Sequence, residues 1–167
     1  MKKLKVDIDD VALAMELSNE LEESISCLDK ETGKVINISR SVMNDVEEGN
    51  EEAINDYPEW MKEMADDAEA LLNDDKERFV EIPKITSPEQ YGYMERYILT
   101  IKDEKIRNYL IGAIKGKGAF RRFKDTIAEW PELEKRWYAY RDEAMRREVL
   151  DWLESIGIKP EDIKEDQ

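Results

Sequence analysis

Ser24-Ile25-Ser26-Cys27-Leu28-Asp29, then Lys30-Glu31-Thr32-Gly33, then Lys34-Val35-Ile36-Asn37-Ile38, is the stretch on which the fold turns. Two short apolar runs flank a polar loop that ends in glycine. That is the pattern of a β-hairpin, with Gly33 as the positive-φ residue of a bulged turn. A lone hairpin is not stable in water, so it must be extended by another strand or packed by helices. Phe79-Val80-Glu81-Ile82, an alternating run stopped by Pro83, supplies a candidate third strand. Cys27 falls in the first run beside Ile25 and Leu28, where a buried, inert thiol is expected.

Helical patterns lie on both sides of the hairpin. Between Asp9 and Leu21, Leu13, Leu17 and Leu21 recur at steps of four with Ala14 beside them, behind Asp7, Asp9 and Asp10 as caps. After the hairpin, residues 40–58 are polar and acidic, and Gly49-Asn50 and Tyr57-Pro58 punctuate them. The expectation there is a loop-rich connection with one short helix near Ser41 to Glu47. Pro58-Glu59 opens a helix with Trp60, Met64, Ala68 and Leu71 on its inner stripe and an Asp/Glu-rich outer face.

The second half reads as helix throughout. Ser87 as N-cap, Pro88 and Gln90 start a helix with Tyr91, Met94, Ile98 and Ile101 inward. Asp103 caps the next, with Ile106, Tyr109, Leu110, Ala113 and Ile114 inward, and Gly116-Lys117-Gly118 ends it. A third helix follows with Phe120, Phe123 and Ile127 on one face. Pro131 begins the last, whose stripe runs through Leu133, Trp137, Tyr140, Ala144, Val149, Trp152 and Ile156 before Gly157 and Pro160 stop it. No repeat, low-complexity tract or linker divides the chain. The expected architecture is one α+β domain over residues 1–160, predominantly helical, with a small antiparallel sheet and a frayed polar tail over 161–167.

Composition narrows the chemistry. The 167 residues contain no histidine, one cysteine and a net charge of -15. These exclude Ser-His-Asp and Cys-His nucleophiles, His-ligated zinc and intramolecular disulfides. With four Trp, seven Tyr and three Phe the chain is globular rather than a disordered polyelectrolyte. The basic start MKKLKV leads into no apolar segment, and no run approaches a membrane span, so a cytoplasmic protein without membrane contact is expected. The acidic runs show no calcium-loop or other metal spacing, and no cofactor is implied.

The charge is segregated: residues 115–147 carry a net +4, whereas the rest of the chain carries -19. Within this basic segment, glycines that admit close backbone approach precede a helix start rich in Lys and Arg. The candidate anion- or partner-binding residues are Lys117, Gly118, Arg121, Arg122, Lys124, Arg136 and Arg141. The string is neither a P-loop nor a dinucleotide fingerprint. A bland alternative is that the glycines reverse the chain while the arginines bridge to acidic neighbours. Likewise Trp130, Trp137, Tyr138, Tyr140 and Trp152, interleaved with arginines, can stack bases, although helical spacing assigns most of them to the core.

Three strings, residues 28–35 (LDKETGKV), 116–125 (GKGAFRRFKD) and 134–141 (EKRWYAYR), together resemble uncharacterised protein family 0158, a set of small prokaryotic proteins. The resemblance runs from about Asp7 to Pro160, is weakest over residues 42–57, and implies no activity or catalytic residue. The leading expectation is a non-enzymatic interaction or regulatory domain that contacts an acidic protein or a small anion through residues 115–147. An enzyme with a phosphate clamp at Gly116–Gly118 is the alternative, and nucleic-acid binding the third reading.

Overall fold

The computed structural model describes residues 1–16 and 24–162 of the chain. In order, the elements are β1 (Lys2–Val6), α1 (Ile8–Glu16), β2 (Ser24–Asp29), β3 (Val35–Ser39), α2 (Arg40–Glu48), α3 (Glu51–Asn55), α4 (Glu59–Leu72), β4 (Phe79–Glu81), α5 (Ser87–Leu99), α6 (Glu104–Ala113), α7 (Ala119–Ile127), α8 (Pro131–Ser155) and β5 (Ile158–Asp162). The fold is α+β and helix-dominated, as the sequence predicts. The chain forms two compact units, Met1–Lys84 with Val149–Gln167, and Ile85–Glu148. No helix among the described residues is long and apolar enough to cross a membrane.

In the first unit β2 and β3 form the predicted hairpin, with Cys27 opposite Ile36, and β4 adds to the other side of β2, with Leu28 opposite Val80. The antiparallel order is therefore β3-β2-β4. Gly33 closes the turn at φ 79. Asp29 ends β2 with its carboxylate buried. It accepts backbone N–H groups from Glu31 at 2.9 Å and Thr32 at 3.4 Å. The Arg78 guanidinium, just before β4, forks onto it through Nε at 2.9 Å and Nη2 at 2.7 Å. That pairing holds the Asp29 carboxyl well below the usual carboxylate range. Cys27 is buried, and burial pushes its thiol up to about 11, which makes it a poor nucleophile at neutral pH.

A second pairing has no local signal. β1 and β5 lie parallel, with Leu4 opposite Pro160 and Val6 opposite Asp162. Glu161 and Asp162, expected in a frayed tail, are thus in a strand, and residues 163–167 lie outside the described residues. The proline removes one ladder donor, which a two-stranded pair tolerates at an edge.

Several inward stripes shift. In α1 the buried residues are Ile8, Val11, Ala14 and Met15, whereas Leu13 is exposed; Leu17 and Leu21 lie outside the described residues. Asp7 is the cap, accepting from the N–H groups of Asp9 and Asp10. Residues 40–58 are not loop-rich: Ser39 caps α2, Gly49 ends it in the left-handed conformation, and Asn50 caps α3. Polar residues read as loop punctuation are caps there, and α2 buries Val42 and Met43 against Ile38, Ala65 and Ala68. In α4 Met61 and Met64 face this core, and Trp60 is 64 % exposed.

The second unit is four helices. Thr86, not Ser87, caps α5 by accepting the Glu89 N–H, and Asp103 caps α6 as expected. The core takes Met94, Tyr97, Ile98, Leu110, Phe123, Ile127 and Trp137, whereas Tyr109 and Phe120, expected inward, are exposed. Trp137 lies 5.0 Å from Phe123 edge to face and 5.5 Å from Tyr97, so this indole is core rather than a base-stacking platform. On α8 the buried residues further along are Met145, Val149 and Leu153, and Trp152 is only half-buried; the helix ends before Ile156.

Candidate anion-binding site

The loop before α7 is built by two left-handed glycines, Gly116 at φ 79 and Gly118 at φ 76. A side chain in that region strains an L-residue, which explains why both positions are glycine. The reversal leaves carbonyls at the end of α6 without helical partners, and Arg122 satisfies them. Its Nε donates to the Ala113 carbonyl at 2.9 Å, and its terminal nitrogens donate to the carbonyls of Lys115, Lys117 and, at 3.4 Å, Gly116. The sequence presents Arg122 as a candidate anion fork or a bridge to acidic neighbours. In the folded chain its donors are turned onto the loop, because a reversed chain exposes carbonyls and not carboxylates.

Arg122→Ala is therefore expected to lower stability by about 0.5–1 kcal/mol, the scale of exposed hydrogen bonds whose carbonyls water can take over. Arg122→Lys should not restore it, because a single ammonium cannot span those carbonyls. Thermal unfolding of both variants checks this; an unchanged Tm in Arg122→Ala would mean that the glycine turn stands without it.

The other predicted residues disperse. Lys117 is exposed on the loop, and Arg121 points away to Asp125 at 4.0 Å, both side chains being largely exposed. Arg136 borders a cavity of about 510 Å³ lined by Tyr97, Ile101, Trp130 and Leu133. Asp103, Glu129 and Glu132 share that lining with Lys102 and Arg136, so it has no positive balance with which to hold an anion.

Lys124 and Arg141 do come together. Both line a cavity of about 280 Å³ with Gln90, Tyr93, Met94, Phe120, Phe123, Trp137 and Tyr138. No carboxylate contributes directly to this lining, and Glu148 and Glu89 act on it through the Tyr93 hydroxyl. Phe120 and Tyr138 are each 43 % exposed, which leaves aromatic edges accessible beside the cations. Tyr93 is buried, with the Glu148 carboxylate close to its hydroxyl. Burial, with the Glu148 carboxylate adding to it, pushes that phenol up to about 12, so it stays protonated. Among the described residues no cluster of Asp, Glu and Cys could hold a metal ion.

Sequence reasoning named Lys124 and Arg141 but missed Gln90, Tyr93 and Phe120 as lining residues. Phe120 was placed inward, and Gln90 was read only as part of a cap. The signal lay in α7, where Ala119, Phe123 and Ile127 already fill the inner face at steps of four and leave Phe120 outside it.

Two of the three strings behind the resemblance converge here: Phe120, Phe123 and Lys124 come from one, Trp137, Tyr138 and Arg141 from the other. Uncharacterised protein family (UPF0158) matches the chain over residues 3–166. The chain belongs to this family. A UPF0158 protein of Pseudomonas aeruginosa is 28 % identical over 160 residues, covering 96 % of this chain and 88 % of that protein. No solved structure matches the chain. UPF0158 membership brings no assigned activity.

Proposed function

We propose that the helical unit is a binding module, and that the cavity lined from α5, α7 and α8 receives an anionic group of an acidic partner. The observation that carries this reading is the meeting of Lys124 and Arg141 on one aromatic-walled cavity whose lining holds no carboxylate. The Lys124 ammonium attracts carboxylate or phosphate, and the Arg141 guanidinium, already partnered in the folded chain, adds positive charge beside it. The rings of Phe120, Phe123 and Trp137 suit a flat or apolar body attached to that group. A cytoplasmic setting and a regulatory or scaffolding role without catalysis belong to the same proposal. The phosphate-clamp reading at Gly116–Gly118 is weaker, because it needs the donors that Arg122 gives to carbonyls and keeps only Lys117 and Arg121. Nucleic acid is disfavoured by the net charge of -15.

The test is a thermal-shift and fluorescence titration with phenyl phosphate, benzoate and inorganic phosphate. A ligand that binds the native state raises Tm in a saturable way. The aryl anions are expected to do so more strongly than inorganic phosphate. Lys124→Ala should move the midpoint about fivefold higher, the equivalent of ~1 kcal/mol for one charge contact, and Arg121→Ala should leave it in place. No saturable shift in the wild type, or the same midpoint in Lys124→Ala, would overturn the proposal.

A further inference from the structure

The two units differ in charge as much as in architecture. Ile85–Glu148 contains fourteen Lys and Arg against eleven Asp and Glu, whereas the other unit contains twelve against thirty. On the acidic unit one large side chain is out of place. Trp60, at the start of α4, is 64 % exposed, because Met61, Met64, Ala65 and Ala68 fill the helix's apolar face. Trp60, Glu63 and Asp67 fall at i, i+3 and i+7, so they share one side of the helix, and Glu59 beside them pairs with Lys62 at 3.9 Å. Asp67 is crowded by like charge: desolvation first, then Asp66, Glu63 and Asp29, raise its pKa. An exposed indole set among carboxylates is a surface that gains by being covered with cations and aromatic rings.

The cavity of the helical unit has the opposite character, with Lys124 and Arg141 beside the exposed rings of Phe120 and Tyr138. We infer that the occupant of this cavity is the Trp60–Glu63–Asp67 face of a second copy of the chain, so that the protein associates head to tail with itself. This rests on reading the cavity as a site for an acidic group and names the partner. Its volume of about 280 Å³ accommodates one aromatic side chain with a carboxylate at the mouth. Buried Trp, Tyr and Arg anchors carry most of the energy of small interfaces, and the surrounding charge pairs set register and salt dependence. The two surfaces are different, so the contact closes only if two copies exchange it reciprocally; otherwise it propagates into chains.

Sedimentation velocity on the full chain tests this across roughly 10 μM to 1 mM, the range in which a single-anchor contact is populated, at about 0.05 and 0.5 M salt. The wild type is expected to gain mass with concentration at low salt and to lose it at high salt. Trp60→Ala and Lys124→Glu, both at exposed positions, should each stay monomeric under those conditions. Mixing the two should restore a dimer, because one variant retains the cavity and the other retains Trp60. A monomeric wild type throughout, association untouched by either variant, or a mixture that stays monomeric would each overturn the inference. The phenyl phosphate titration above separates the two proposals: binding by a monomeric wild type keeps the cavity as an acidic-group site and removes only the second copy as its partner.

Discussion

Gly33→Ala is expected to destabilise the protein by about 3 kcal/mol or more, the scale of a severe core or backbone clash. A Cβ at this position would lie 1.9 Å from the Lys5 carbonyl oxygen and 3.0 Å from its carbonyl carbon. Neither atom belongs to a side chain that can swing aside, because Lys5 sits within β1 in register with Glu161. The residue also holds φ at 79, which adds the left-handed cost of about 1–2 kcal/mol for any L-residue. Gly49→Ala isolates the two contributions. It has φ 69 and nothing within 4 Å of its Cβ, so it should cost only the backbone share, about 1 kcal/mol. Urea unfolding of both variants decides the matter; equal losses would mean that the approach to Lys5 carries no energy.

Asp29 is expected to show the second large effect. Its carboxylate is buried, accepts two turn N–H groups and holds the Arg78 guanidinium. Asp29→Ala orphans these donors together and should cost about 2–4 kcal/mol. The pH dependence has a defined sign. An unfolded Asp titrates near ~3.9, and Asp29 titrates below that in the folded chain, so folding favours the ionised form. The stability it supplies is complete above about pH 5 and is lost as pH falls through ~3.9 towards the lower folded value. Asp29→Asn should therefore be less stable than wild type at pH 7, with the gap closing as the pH falls below ~3.9. Arg78→Ala should flatten the same acid limb. Unfolding curves that stay parallel between wild type and Asp29→Asn across this range would show that Asp29 is not the titrating latch.

Both effects concentrate in the string LDKETGKV, whose sequence announced a hairpin and a positive-φ glycine. What it did not announce is that the turn is pressed against β1 and locked by an arginine 49 residues away. Local pattern specifies conformation, and it is silent on which distant backbone will approach a bend. The same limit explains Arg122. Its position near a helix start and two glycines suggested an outward fork, but only the path of the loop decides that four carbonyls point back at it.

The errors in the helical stripes have a common origin. Periodicity identified α4, α5, α6, α7 and α8, yet it placed Trp60, Tyr109 and Phe120 inward because each is large and apolar. A helix can bury only the face that its neighbours cover, and in α4 that face is filled by Met61, Met64, Ala65 and Ala68. Two of the displaced aromatics, Trp60 and Phe120, belong to the surfaces of the binding proposals. Polar stretches failed in the opposite direction: residues 40–58 fold into α2 and α3 because Ser39, Gly49 and Asn50 act as caps, a role that resembles a turn signal in sequence.

By itself the sequence determined the α+β class, the antiparallel hairpin with a candidate third strand, the family and the separation of basic from acidic segments. These follow from local propensity, period and composition, which act over a few residues at a time. Tertiary structure alone decided that β1 meets β5 across nearly the whole chain length, that Arg122 faces its own loop, and that Lys124 and Arg141 share a cavity. Each of these depends on which surfaces come within a few ångströms when the core closes, and residues far apart in sequence carry no mark of that proximity until the chain has packed.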